Sequence, residues 1–286
     1  MDENKQSNMS YGGDYRYLPM YSATDGTGVE VRSDVLCHTV QIVNICMVGL
    51  PGKGGWVLVD AGMPRSAEAI AAAAERRFGP NRPPEAIILT HGHFDHVGAI
   101  VDLVRRWDVP VYAHEMELPY LTGKQAYPEP DATVEGGLVA KWSRMFPNEP
   151  VNITGAVHKL PDDGAVPGMP EWRWIHTPGH TPGHVSLFRE KDRFLIAGDA
   201  FVTVRQDALY RVIAQAEEIT GPPRYLTPDW PTAWESVRKL QALGPSAAVT
   251  GHGRPVTGQI LEEGLRKLAE RFDRIAIPKY VRYAPH

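Results

Sequence analysis

Apolar and polar positions alternate in short, strand-like runs before any helical period appears. VEVRSDVL, HTVQIVNICMVGL and GWVLVD lie between Val29 and Asp60, rich in β-branched residues, with the turn-forming PGKGG before the last. PGKGG lacks the GK[ST] of a phosphate loop and no helix follows it, so it reads as a hairpin turn. The period then changes. SAEAIAAAAERRF (66–78) predicts a helix, EAIILT a strand, VGAIVDLVRRW (97–107) a helix and VPVYAH a strand. Residues 114–150 are irregular apart from a helix expected over 135–146.

The second half repeats the style. Strands are expected near AVHKL, EWRWIHT, HVSLFRE, RFLIAGD and SAAVTG, with helices over TAWESVRKLQAL and ILEEGLRKLAERF. Strands alternating with helices in two comparable halves predict an α/β protein, two sheets with helices outside. Residues 1–28 read as a tail or arm, and 29–286 as a single domain without a low-complexity linker.

Composition narrows the classes. Of 286 residues 43% are hydrophobic and 22% charged, which excludes wholesale disorder. The net charge of −4, without a basic block, argues against nucleic-acid and anionic-membrane partners. The longest apolar stretch, 42–50, is far short of the roughly 20 residues that span a bilayer. The polar N-terminus lacks an apolar signal core, so a cytoplasmic location is expected. Cys37 and Cys46 read as reduced, inert thiols rather than a disulfide framework.

The histidines carry the chemistry. His91, His93, Asp95 and His96 form HGHFDH directly after the apolar run AIILT. Three imidazoles and a carboxylate so close together would be costly in a core and purposeless in a solvated loop. They are the nitrogen and oxygen donors that borderline cations such as zinc take. So short a segment rarely closes two coordination spheres, so distant ligands are expected. His180 in HTPGHTPGH, Asp199 ending RFLIAGD and His252 in TGHG each follow an expected strand, with glycines beside them. His184, in the second TPGH, reads as structural or as pocket wall, and His114 as packed.

HGHFDH, PGH, AGD and TGHG, in that order, resemble the signature of the metallo-β-lactamase-fold superfamily, from Val29 to Gly253. The resemblance implies an αβ/βα four-layer sandwich with a dinuclear site at one edge of its two sheets. It implies His91, His93 and His180 on one metal, Asp95, His96 and His252 on the other, and Asp199 bridging. Asp60, in VLVDAGM, matches an aspartate that supports the ligand loop without binding metal. The cofactors implied are two divalent ions, zinc, or else Mn2+ or Fe2+.

Two such ions acidify a water between them toward a pKa of about 7 and polarise a substrate oxygen. Asp95 is the expected catalytic residue, holding or shuttling the proton. Subfamily patterns narrow the reaction. β-Lactamases of this fold usually carry cysteine or serine where Asp199 stands. Glyoxalase II-like thioesterases add a sizeable helical C-terminal region, whereas only residues 253–286 follow His252 here. Lactonases place a tyrosine three residues beyond the bridging aspartate, and here that residue is Val202.

The expectation is a dinuclear metal-dependent hydrolase of the glyoxalase II/lactonase-like branch. It acts on a small ester, lactone or thioester through a metal-bridging hydroxide. The alternatives are a mononuclear iron persulfide dioxygenase and a phosphodiesterase on the same fold. Aromatic residues of two insertions, Tyr120, Tyr127 and Trp142, then Tyr210, Tyr225 and Trp230, are read as a pocket lid, as ordinary surface or as the contact of a homodimer.

Overall fold

Tight turns and long crossovers, read off the spacing of the strands, dictate how the first sheet is wired. In the computed structural model, which describes residues 8–132, 134, 143–204 and 217–279, the chain forms two compact units, Met1–Tyr127 with Pro147–Arg173, and Pro128–Phe146 with Trp174–His286.

The first unit carries a seven-stranded sheet in the spatial order β1 to β7: Gly28–Arg32, Val35–Val40, Val43–Val48, Val57–Val59, Ala86–Ile88, Val111–Ala113 and Val157–Lys159. The first four strands run antiparallel because short turns join them, one through Gln41 at φ 59°. From β4 onward neighbours are parallel, and each pairing needs a crossover. Helix α1 (Ala67–Phe78) supplies the crossover from β4 to β5, and α2 (Ile100–Trp107) the one from β5 to β6. Ile100, Val101, Leu103 and Val104 of α2 are buried, and Asp108 ends the helix at φ 53°. A short α3 (Leu118–Leu121) follows β6.

The second unit carries a five-stranded sheet, order β14-β13-β10-β9-β8, from β8 (Trp172–His176), β9 (Val185–Arg189), β10 (Phe194–Ile196), β13 (Ala247–Val249) and β14 (Val256–Thr257). Its parallel pair, β10 and β13, is joined by a crossover containing α4 (Trp230–Ala242). Asp229 opens that helix, accepting the Thr232 N–H at 3.1 Å, with Pro231 in the first turn. Helices α5 (Gly258–Glu270) and α6 (Phe272–Ile275) pack with α4 on a core that includes Phe188, Leu195, Phe201, Val237, Leu265 and Phe272. Strands β11 (Val202–Val204) and β12 (Glu217–Thr220) form a separate antiparallel pair, a pairing the sequence pattern does not signal.

The mixed α/β organisation is the expected one, and the long strand-like runs divide at their turns. Of the helix expected over 135–146, residues 135–142 lie outside the described residues, and Ser143–Met145 form a 3-10 turn. Tyr210 and Trp142 also lie outside them. The described part of the expected tail or arm is laid along the first unit, Ser10 pairing with Asn152. Among the described residues, no helix is long and apolar enough to cross a membrane.

Candidate metal centre

The donor residues of the first unit sit just past the C-terminal end of β5, where the backbone leaves the sheet on its way to α2. In open parallel sheets that end is where ligands bind. The Ala61 N–H donates to the His96 carbonyl at 2.7 Å and the Gly98 N–H to the Gly62 carbonyl at 2.8 Å, stitching the loop after β5 to the loop after β4. Only glycine fits at 98, because a Cβ there would stand 2.3 Å from Pro64 N.

Asp60 ends β4 and is the anchor of this half. Its Oδ1 accepts the Thr90 N–H at 2.8 Å, and its Oδ2 accepts the Thr90 hydroxyl at 2.8 Å and Nδ1–H of His96 at 2.9 Å. With the Thr90 hydrogen committed to the carboxylate, Thr90 Oγ1 accepts Nδ1–H of His91 at 3.1 Å. Both imidazoles are thereby fixed with Nε2 as the lone-pair nitrogen, the tautomer a metal requires. The rings cluster, His91 lying 4.1 Å from His96 and 4.8 Å from His93 between centroids.

His93 is backed by a pair that the sequence did not reveal. The Tyr127 ring lies 4.5 Å from the His93 ring, and the Tyr127 hydroxyl donates to the buried Glu117 carboxylate. The Gly92 N–H points at both, 2.9 Å from Glu117 Oε2 and 3.0 Å from Tyr127 Oη. Burial, then the Glu117 charge, push the Tyr127 phenol well above its ordinary range. Tyr120 stacks on Tyr127 at 3.9 Å, so both rings are packing beneath the loop. His114 accepts the Met116 N–H through Nδ1 at 3.2 Å and starts the turn that carries Glu117.

The second unit presents its donors in the same way, past β8, β10 and β13. Thr227 donates its hydroxyl to the Pro223 carbonyl at 2.8 Å and so accepts Nδ1–H of His180 at 3.0 Å, leaving Nε2 as the lone-pair nitrogen. Oδ2 of Asp199 stands 3.5 Å from Nε2 of His180 and 3.3 Å from Nε2 of His252. Two tetrahedral ligands at 2.0–2.1 Å from one zinc are about 3.3–3.4 Å apart, so the carboxylate oxygen is spaced as a ligand shared with each imidazole. The Gly251 N–H donates to the Gly198 carbonyl at 2.8 Å, tying the Asp199 and His252 turns together.

His184 holds the Asp199 turn from behind. Its Nε2 accepts the Asp199 N–H at 2.9 Å, so Nδ1 carries the hydrogen and donates to Thr177 Oγ1 at 2.9 Å. The chain continues from Thr177 to Ser186 at 3.0 Å and from Ser186 to the Ala197 carbonyl at 2.9 Å. This is the structural reading of His184. Tyr225 and Trp230 are likewise buried, against Phe146 and Phe272 respectively.

All seven expected ligands are exposed by 5% or less. Each half brings its own donors together: His91, His93, Asp95 and His96 on one turn, and His180 and His252 around Asp199. The set, imidazoles and carboxylates with their tautomers fixed, fits a borderline divalent ion. Sequence reasoning missed Thr90, Thr227, Thr177 and Glu117. Of these, only Thr90, next to a ligand, carried any local signal.

Comparison with known proteins agrees with this chemistry. A model of the Metallo-beta-lactamase superfamily matches residues 38–252. The chain is 50% identical over 260 residues to the probable metallo-hydrolase YflN of Bacillus subtilis (strain 168), covering 91% of this chain and 98% of that one. Among solved structures it is similar to the BLEG-1 B3 metallo-beta-lactamase, with TM-score 0.53 and 26% identity over 78% of this chain and 92% of that one. It is similar also to TTHA1623, solved in a di-iron-bound form, with TM-score 0.52 and 27% identity over 78% and 93% of the two chains.

Proposed function

Because the chain belongs to the metallo-beta-lactamase superfamily and is a metal-dependent hydrolase, we propose that it hydrolyses a small ester, lactone or thioester with two divalent ions. The donors at residues 91–96 and those at 180, 199 and 252 serve the same two ions in this reading. The superfamily match spans both sets, and all seven belong to buried His and Asp groups of metal-holding composition. His91, His93 and His180 would hold one ion, Asp95, His96 and His252 the other, and Asp199 both.

The observation that carries the reading is the fixed tautomer of the imidazoles. Carboxylate or hydroxyl partners hold Nδ1–H of His91, His96 and His180, which makes Nε2 of each the lone-pair nitrogen that a cation would take. Bound there, the ions would supply an acidified water with a pKa of about 7 and a Lewis acid for the substrate's carbonyl oxygen. Asp95 would hold the proton at a carboxylate oxygen and pass it to the leaving group. The cysteines offer no competing nucleophile, since burial pushes the Cys37 thiol up to about 12 and Cys46 well above its ordinary value.

The test is metal analysis of protein purified without added metal, alongside a panel of lactone, thioester and phosphodiester substrates. Two zinc or manganese ions per chain with chelator-sensitive cleavage of a lactone or thioester supports the proposal. His93→Ala or Asp95→Ala should abolish that turnover. One iron per chain with no hydrolysis would move the assignment to persulfide oxidation, and cleavage of the phosphodiester alone to that class.

A further inference from the structure

Residues 8–15 precede every strand, yet they are bonded to the segments that leave the HGHFDH turn. The hydroxyl of Tyr15 donates to the Gly98 carbonyl at 2.9 Å and accepts the Arg65 N–H at 2.8 Å. Gly98 lies two residues past His96, and Arg65 belongs to the loop that begins at Asp60. One phenol oxygen thus joins the loop carrying His96 to the loop carrying the acid that orients it.

Its neighbours fix where that oxygen stands. Tyr11 stacks on Tyr15, centroids 3.8 Å apart and rings 8° from parallel. The Tyr11 hydroxyl donates to Asp102 Oδ2 at 3.1 Å and accepts the Asp102 N–H at 3.3 Å, taking up a first-turn amide of α2 that the helix itself cannot pair. Arg105 donates to the Met9 carbonyl at 2.6 Å, and Ser10 exchanges backbone bonds of 2.9 and 2.8 Å with Asn152. Asp14 Oδ2 accepts the N–H groups of Asn148 and Glu149 at 2.6 and 3.1 Å. The arm is therefore anchored just before Tyr11 and again between the two tyrosines, at Asp14.

We propose that residues 8–15 form a clasp on the ligand turn, and that Tyr15 is a positioning residue for His96, setting the separation of the Asp60 and His96 loops. Its effect on metal binding rests on the reading of the centre given above; its effect on the backbone does not. The wild type, Tyr15→Phe, and a chain lacking residues 1–16 would be compared metal-free by amide hydrogen exchange, then titrated with Zn2+ alone against a chelator.

In Tyr15→Phe, which loses both bonds of that hydroxyl, exchange at Arg65, Gly98 and Ala99 should quicken at least about tenfold while β9 is unchanged, and at least as much in the shortened chain, which loses the other arm bonds as well. Zinc affinity should fall about tenfold, the low end for partners that orient ligands. Tyr17→Phe, on the same segment, should alter neither. Unchanged exchange at 98–99, or an equal rise throughout the chain, would overturn the clasp. If wild-type protein takes up no zinc, the metal-centre reading falls while the exchange comparison still decides the clasp.

Discussion

Oδ2 of Asp60 stands 2.9 Å from Nδ1 of His96, and the same carboxylate takes the hydroxyl of Thr90, which in turn takes Nδ1–H of His91. One buried acid therefore sets the tautomers of two imidazoles, one directly and one through a threonine. It lies at the end of the strand parallel to the one that leads into the ligand turn, paired Val59 to Ile88. The register of two hydrophobic strands thus determines which ring nitrogens face outward.

Asp60→Asn replaces one acceptor oxygen with a donor, so either His96 or Thr90 loses its partner. Metal affinity should fall about 10–100-fold. Metal-free protein should lose about 1–3 kcal/mol, the cost of a buried group left unsatisfied. Chelator competition and denaturant unfolding read the two effects separately. Unaltered affinity would show that the carboxylate does not orient the ligands.

His184→Ala removes the acceptor of the Asp199 N–H and the donor to Thr177 together. Stability should drop by about 1–3 kcal/mol, and more if the emptied space does not collapse. Metal content should fall with it, since Asp199 loses the bond that holds its turn. A variant with wild-type stability would mean that water replaces the imidazole without loss.

Gly179→Ala tests the approach of the His180 turn to α4. The residue has φ 125°, and a Cβ would stand 2.3 Å from Ala233 N. Backbone cannot yield as a flexible side chain does, so a loss of at least about 1–3 kcal/mol is expected in thermal or denaturant unfolding. An unchanged midpoint would contradict the close packing.

His38 supplies a pH dependence away from the centre. Burial, reinforced by the Arg76 charge and opposed by Asp25, holds its imidazole below the ordinary value of 6.5. The unfolded chain then takes the proton first. The stability that neutral His38 provides is complete above about pH 6.5 and is lost as pH falls through the folded pKa. Unfolding free energies of wild type and His38→Gln at pH 7.5 and 5.5 should show the steeper fall in the wild type. Equal falls would remove His38 as the cause.

The candidate metal ligands stand out in the sequence because each follows an apolar run, and strand ends are visible in the hydrophobic pattern. HGHFDH after AIILT and GD after RFLIA needed no tertiary knowledge. The partners that fix the tautomers were hidden for a physical reason. Thr227 reaches His180 from 47 residues away and Asp60 reaches His96 from 36, distances over which no local period survives. Glu117, and its pairing with the Tyr127 already singled out as a loop aromatic, was hidden too, because a buried acid paired with a phenol looks in sequence like an exposed charge beside a loop aromatic. The β11–β12 pair was missed because VTV and EEIT are too short to alternate visibly.

Cys37 and Cys46 face each other across β2 and β3, both buried in the first sheet. A thiol reagent meets neither while those strands stay paired. The two sulfurs therefore act as an intrinsic clock, their labelling rate recording how often the first unit opens. No fluorophore or tag has to be added for that reading.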